Sequence, residues 1–177
     1  MYVKIPSERI GVLVGPGGRV KKMLEEQTAS ELDIDSETGA VSVTSTEDNL
    51  QAMRLMEVVR AIGRGFSPER AMPLLEDDIL MLDVIDLSKV SNTKSGLARL
   101  KGRIIGKDGR TREVTEKLSK SSISVYGKTV ALIGRPERIM IARTAIEMLI
   151  DGAPHGSVYS YLEKKHQDLI RAELRDM

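Results

Sequence analysis

Two short runs carry glycines at a spacing suited to chemistry on a polyanion. Gly15-Pro16-Gly17-Gly18 and Gly106-Lys107-Asp108-Gly109 both read Gly-x-x-Gly. Glycine tolerates left-handed backbone angles and has no side chain to hold a neighbour away. If a sugar–phosphate backbone runs past such a turn it can approach closely, and the N-terminus of the next helix offers free amide donors and a favourable dipole. One Gly-x-x-Gly alone is weak evidence, because a helix–turn–helix uses glycine for structural reasons. Two at the same place in a repeated pattern are strong evidence.

The repeat extends beyond the glycines. Gly11-Val12-Leu13-Val14-Gly15-Pro16-Gly17-Gly18-Arg19 aligns with Gly102-Arg103-Ile104-Ile105-Gly106-Lys107-Asp108-Gly109-Arg110 at an offset of 91 residues. Met23 then falls on Val114, Glu25 on Glu116, Leu32 on Ile123 and Ile34 on Val125. With a turn two residues shorter in the second copy, Val41 falls on Val130, Val43 on Leu132, Arg54 on Arg143 and Gly63 on Gly152. Two homologous units explain this most simply.

The elements that must position the turns follow one order in both units. Tyr2-Val3-Lys4-Ile5 alternates as a strand, and Ser7 is expected to cap a helix through Ile10 to Val14. A second helix carries Val20, Met23 and Leu24. Leu32 and Ile34 alternate with carboxylates, Glu37-Thr38-Gly39 turns, and Val41 alternates with Val43. Asp48 to Ile62 is expected as a helix with Leu50, Met53, Val58 and Ile62 near one face. In the second unit Leu80, Leu82 and Val84 are expected to form the strand, and helices flank Gly106 to Gly109. Ile123/Val125 and Val130/Leu132 form a hairpin around Gly127-Lys128, and Pro136 to Ile150 is a helix with Pro136 in its first turn. An extra helix follows each unit, one from Ser67-Pro68-Glu69 toward Leu75, the other from Ser157 with Val158, Tyr161, Leu162, Leu169 and Ile170. The expected division is 1–66, a helical linker 67–78, 79–152, and a C-terminal helix 153–177.

The chain carries 27 Lys+Arg against 26 Asp+Glu, a balance that by itself argues against a polyanion ligand. The distribution argues the other way. Residues 91–134 hold 10 basic and 3 acidic side chains, whereas residues 1–66 hold 8 and 10. The local excess surrounds the second glycine turn and is large enough to neutralise several phosphates, so it reads as a nucleic-acid surface rather than a solvated face. With 3% aromatic residues there are few rings for base stacking, which disfavours aromatic-platform RNA binders. The absence of Cys excludes disulfides, Cys-ligated zinc, iron–sulfur clusters and thiol nucleophiles. No run approaches the roughly 20 apolar residues of a membrane span, and Met1 to Ser7 lacks the pattern of a signal peptide. The expectation is a soluble cytoplasmic protein with no cofactor and no membrane partner.

The strand-helix-helix-strand-strand-helix order around each turn resembles a pair of KH domains of the eukaryotic type (type I), within an α+β protein with appended helices. Ile104-Ile105-Gly106-Lys107-Asp108-Gly109-Arg110 looks like that family's Ile-Ile-Gly-x-x-Gly signature, and Val12-Leu13-Val14-Gly15-Pro16-Gly17-Gly18 is similar. More narrowly, the tandem arrangement, Gly63-Arg64-Gly65-Phe66-Ser67-Pro68-Glu69-Arg70-Ala71, and the run from Leu100 to Arg112 resemble the archaeal ribosome-biogenesis factors of the partner-of-Nob family. The resemblance implies a non-enzymatic protein that binds single-stranded RNA near the 3′ end of small-subunit ribosomal RNA and assists its endonuclease. It also implies a groove with Ile104, Ile105 and Ile123 as an aliphatic floor for bases and Gly106, Lys107, Asp108 and Gly109 on the sugar–phosphate. Arg99, Lys101, Arg103, Lys107, Arg110 and Arg112 would form its positive rim. The first unit departs from the pattern. Gly15, Pro16, Gly17 and Gly18 put no charge in the turn, and Arg19 and Lys22, with Arg9 and Lys21, are the cations left for a secondary RNA-binding or docking role.

Other readings are weaker. A phosphate-binding loop needs four residues between its glycines and Ser or Thr after Lys, whereas Gly102 and Gly106-Lys107 enclose three and are followed by Asp108. Glu76, Asp77, Asp78, Asp83 and Asp86 could in principle hold magnesium, yet Asp83 and Asp86 sit at odd spacing on a strand and point to opposite faces. His155 is expected in a loop and His166 on an exposed helix face. The runner-up function is a protein–protein adaptor whose KH units are mainly structural.

Overall fold

In the first unit, strand β1 (Tyr2–Lys4) leads through Pro6 into helix α1 (Ser7–Val14). Ser7 is not the cap. Pro6 takes that position and its carbonyl accepts the Arg9 amide at 2.9 Å, which makes Ser7 the first helical residue. A single 3-10 turn (Pro16–Gly18) joins α1 to α2 (Arg19–Thr28), followed by β2 (Ser30–Ile34), β3 (Ala40–Ser45) and α3 (Asn49–Gly63). β3 lies between β1 and β2 and runs antiparallel to both, with Val3 opposite Val41 and Leu32 opposite Val43. Strand alternation buries Leu32, Val41 and Val43. This computed structural model describes residues 2–45 and 48–177. Met1, at the head of the Met1–Ser7 segment, and Thr46 and Glu47 lie outside the described residues.

Asp48 caps α3, its carboxylate accepting the Leu50 amide at 2.9 Å. The buried residues of α3 include Ala52, Leu55, Met56, Val58, Val59 and Ile62. Val58 and Ile62 lie inside as expected, whereas Leu50 and Met53 are more than half exposed. Small Ala52 rather than large Leu50 begins the buried set, so the expected face fails only in the first two turns of the helix. The helix expected from Ser67 is two helices, α4 (Pro68–Ala71) and α5 (Pro73–Glu76), because Pro73 has no amide to continue the ladder.

The second unit repeats the order. β4 (Met81–Asp86) passes through a 3-10 turn (Leu87–Lys89) to α6 (Lys94–Ile105), a second 3-10 turn (Lys107–Gly109), α7 (Arg110–Ser119), β5 (Ser122–Tyr126), β6 (Thr129–Gly134) and α8 (Pro136–Ile150). The sheet order is β4-β6-β5, and β5 pairs antiparallel with β6, Ile123 opposite Leu132 and Val125 opposite Val130. In β4 the buried residue is Ile85. Leu82 and Val84 are half-buried and Leu80 precedes the strand. The inward register is therefore one residue from the expected one, and in an element of period two that exchanges the faces. Asp83, at the same parity as Ile85, accepts from Arg143 Nη1 of α8 at 2.6 Å.

By contact the chain divides into Met1–Leu82 and Asp83–Met177, so α4 and α5 fall with the first unit and α9 (His155–Arg175) with the second. Val158 and Leu162 of α9 join Ile85, Leu87, Ile104, Ile123, Leu132 and Leu149 in one core. At roughly 1.5–3 kcal/mol per buried aliphatic side chain, those two residues anchor the helix. α9 starts at His155 rather than Ser157, because the Pro154 carbonyl accepts the Ser157 and Val158 amides at 3.1 and 3.3 Å. On α7 the small buried residues Thr111, Thr115 and Ser119 give α9 room to pack. His166 is not fully exposed, since its Nδ1 donates to the Leu118 carbonyl at 3.1 Å. No helix among the described residues is long and apolar enough to cross a membrane.

Candidate nucleic-acid interface

The two Gly-x-x-Gly turns follow one backbone path. Gly15 and Gly106 have φ 75° with ψ of 173° and 174°, and Gly18 and Gly109 are left-handed caps at φ 78° and 74°. Between them Gly17 sits at φ 61°, ψ 21° and Asp108 at φ 55°, ψ 27°. Gly15 and Gly106 admit no other residue: a Cβ on Gly15 would overlap the Val20 side chain, and one on Gly106 would overlap Thr111. Asp108 occupies left-handed space that Gly17 takes freely, a conformation a short polar side chain supports better than most. Lys107, Asp108 and Arg110 are exposed, as are Pro16, Gly17, Arg19 and Lys22 in the first unit.

The expected aliphatic floor needs correction. Ile104 is 2% and Ile123 1% exposed, because both belong to the core that joins α6 and β5 to α8. Ile105, one step along α6, is half-buried. So are Val114 of α7 and Val125 of β5, which pack at the edge of the core. The apolar surface available to a base is therefore drawn from Ile105, Val114 and Val125. Glu116 ties α7 to β5 by accepting the Ile123 amide at 2.9 Å, and Glu25 does the same for Leu32 at 2.9 Å, which explains why these glutamates match in the repeat.

The basic rim divides by role. The side chains of Arg99, Lys107 and Arg110 have no ion-pair or hydrogen-bond partner among the described residues. Lys101 is half-buried, and Arg112 Nε lies 3.9 Å from Glu116. Arg103 is not a rim residue. Its Nε donates to the Leu149 carbonyl at 2.9 Å and its Nη2 to the Ala153 carbonyl, so it caps the end of α8. Arg9 holds the end of α3 in the same manner, donating to the Ile62 and Phe66 carbonyls at 2.8 Å each. A guanidinium on the last carbonyls of a helix satisfies orphan acceptors and opposes the dipole.

The helices that follow the turns differ in surface charge. Arg110, Glu113, Val114 and Lys117 line a hollow of about 350 Å³ on α7. On α2 a hollow of about 380 Å³ is lined by Lys22 with Glu25, Glu26 and Glu31. The charged residues that line the first are positive on balance and those that line the second are negative on balance.

Two rings border the second turn on its other side: Tyr159, which no sequence motif singled out, and His155, which lies on a helix and not in the expected loop. His155 is in the first turn of α9, where its Nε2 donates to the Arg103 carbonyl at 3.1 Å. Tyr159 lies one helical turn on, its ring edge-on to His155 at 6.4 Å and its hydroxyl 3.0 Å from Thr111 Oγ1. The four-residue spacing of His155 and Tyr159 was the available signal. The carboxylates of the chain's middle are occupied singly: Asp78 pairs with Arg54 at 2.7 Å, Asp83 with Arg143, and Asp86 with Ser88, whose hydroxyl and amide hold the Asp86 carboxyl below its usual range. No cluster of three possible metal ligands occurs among the described residues.

Residues 81–167 match the eukaryotic-type KH domain (KH type I) in the form found second in Pno1, and residues 1–57 match the KH domain. A KH domain-containing protein of Methanocaldococcus jannaschii is 43% identical over 173 residues, covering 96% of this chain and 75% of that protein. The chain belongs to the tandem KH-domain Pno1/Dim2 family. Within that family, the pre-rRNA-processing protein pno1 of Emericella nidulans is 30% identical over 167 residues, 92% of this chain and 65% of that longer protein. Dim2p of Pyrococcus horikoshii, solved in a complex with a/eIF2alpha and rRNA, is 51% identical with a TM-score of 0.90, covering 95% of this chain and 94% of that one.

Proposed function

We propose that this Pno1/Dim2-family chain binds a single-stranded segment near the 3′ end of small-subunit ribosomal RNA during subunit maturation and assists the endonuclease that processes it, without cutting RNA itself. One observation carries the reading: Lys107 and Arg110 stand exposed and unneutralised at a Gly-x-x-Gly turn whose glycines keep the backbone bare. In this reading Gly106 to Gly109, Lys107 and Arg110 hold the sugar–phosphate, Ile105, Val114 and Val125 meet the bases, and Arg112 and Lys117 add positive charge. The pre-rRNA-processing relative and the rRNA-bound relative support the target. The test is titration of an oligonucleotide from that 3′ region, free and annealed to its complement. Binding to the free strand, loss on annealing and intact RNA afterwards are expected. Preference for the duplex would refute the groove.

A docking role for the first unit has its own support. Tyr2, 69% exposed, and Met53 border a hollow of about 310 Å³ with Met56, Glu57 and Arg60. The Pyrococcus relative was solved with a protein partner, a/eIF2alpha, as well as rRNA. Met53→Asp is expected to weaken protein capture while leaving RNA affinity unchanged, and loss of RNA affinity instead would reject the division of labour.

A further inference from the structure

On the α9 side of the second turn lies a cleft of about 460 Å³, within the size range of small-ligand sites. It is walled by α6, the turn, the start of α7 and the first turn of α9, and no carboxylate lines it. The side chains of three cations that reach it, Arg99, Lys107 and Arg110, have no partner among the described residues. The fourth, Arg103, is committed to the Leu149 and Ala153 carbonyls and serves as wall. Two of the chain's few rings face the same space, and both are held before any ligand arrives: Tyr159 through Thr111 and His155 through the Arg103 carbonyl. Because His155 is the first residue of the 21-residue α9, the positive end of that helix dipole also opens here.

We propose that this cleft receives one further nucleotide of the bound strand, extending the RNA site beyond the groove, with its phosphate on Arg99 and Arg110 and its base against the ring of Tyr159. The inference rests on the reading that the second unit binds single-stranded RNA. Unneutralised cations beside a preorganised ring are what a nucleotide needs, and rings already held lose little entropy on stacking. The first unit keeps only one of these three cations, with Arg19 in the place of Arg110. In the repeat, Arg99 corresponds to Glu8 and Lys107 to Pro16, and the chain after α3 turns inward to bury Phe66 instead of presenting rings.

The experiment compares a tetranucleotide with the same sequence extended by two nucleotides at either end, binding to the intact chain. For the unmodified protein one of the extensions is expected to tighten binding about tenfold, the size of one base stacked on an aromatic ring. Tyr159→Leu is expected to erase that gain and leave tetranucleotide affinity unchanged, whereas Tyr159→Phe, which keeps the ring, retains it. Arg99→Glu is expected to erase the gain and to lower the salt dependence for the longer strand by about one phosphate contact. A gain that survives Tyr159→Leu overturns the proposal, as does tetranucleotide binding with no gain on extension, in which case the RNA-binding reading stands without the cleft. Failure of the tetranucleotide itself to bind refutes the RNA reading and the cleft with it. Adenosine monophosphate shifting the Tyr159 ring resonances while extension gives no gain would mark a free-nucleotide site and likewise overturn the proposal.

Discussion

Between Gly15 and Gly18, and again between Gly106 and Gly109, the chain takes the same path and presents different surfaces. The first turn shows Pro16 and Gly17, and the helix after it carries a hollow lined by Glu25, Glu26 and Glu31. The second shows Lys107 and Asp108, and the helix after it carries a hollow in which Lys117 stands where the first unit has Glu26. Sterics hold the backbone, since Gly15 lies against Val20 and Gly106 against Thr111 with no space for a Cβ. No packing holds the exposed charges, so these have been free to differ. Glycine spacing therefore reports the fold of both units, and the side chains between and beside the glycines report what each unit can bind. The same logic separates Arg103 and Arg9 from the other cations, because both are used inside their units on helix-ending carbonyls.

The largest expected effect tests the shared part of the comparison. Gly15→Ala and Gly106→Ala should each destabilise their unit by about 2–4 kcal/mol, from strain at positive φ together with overlap of the new Cβ. Denaturant unfolding measures this, and indifference to either substitution would break the claim that one steric rule shapes both turns. The next tests the divergent part. Lys107→Asp should reduce affinity for single-stranded RNA at least tenfold at moderate salt, while Pro16→Asp at the matching position changes it less than twofold. Equal losses in a binding titration would mean that the turns share the RNA.

Two smaller effects sharpen the comparison at the helix ends. Ala29 and Lys120, the matching caps of α2 and α7, are left-handed at φ 48° and 54°. Ala29→Gly should stabilise the first unit by about 0.5–1 kcal/mol. Lys120→Gly should gain less, because Lys120 Nζ also binds Glu173 Oε1 of α9 at 3.0 Å, and thermal unfolding of the two variants compares them. Lys120, and then Arg138, hold the Glu173 carboxyl below its ordinary 4.5. A carboxyl with a lowered value gives its stabilisation above the unfolded value and loses it as pH falls through the folded one. Amide protection over Ile170–Arg175, taken relative to the intrinsic exchange rate at each pH, should accordingly fall below pH 4.5 more than protection in the middle of α9. An equal fall along the helix would remove Glu173 as the clasp.

Much of this architecture was legible because it is written in local signals. The 91-residue offset, the hairpin register of Val125 with Val130, and the span of α8 from Pro136 to Ile150 follow from glycine placement, alternation and a first-turn proline. What escaped depends on distant partners. Arg103 reaches a carbonyl 46 residues away and Arg9 one 53 away, and nothing near either residue announces it. Tyr159 gains its role from Thr111, 48 residues off. Adjacent Ile104 and Ile105 look alike in sequence, and only helical phase against the core buries the first and leaves the second half-exposed. The exposed start of α3 and the inward register of β4 have a similar origin. Ala52 and Asp83 carry the decision there, and neither draws attention in a hydrophobic pattern.

The central claim is that RNA engages the second turn and not its structural twin. Backbone amide chemical shifts of the intact chain, followed while a single-stranded oligonucleotide from the 3′ region of small-subunit rRNA is added, test it directly. The account predicts saturable shifts over Gly106–Arg112 and at Val114 and Val125, with Gly15–Lys22 unmoved at the same RNA concentration. Shifts of equal size at both turns, or confined to the first, would contradict it.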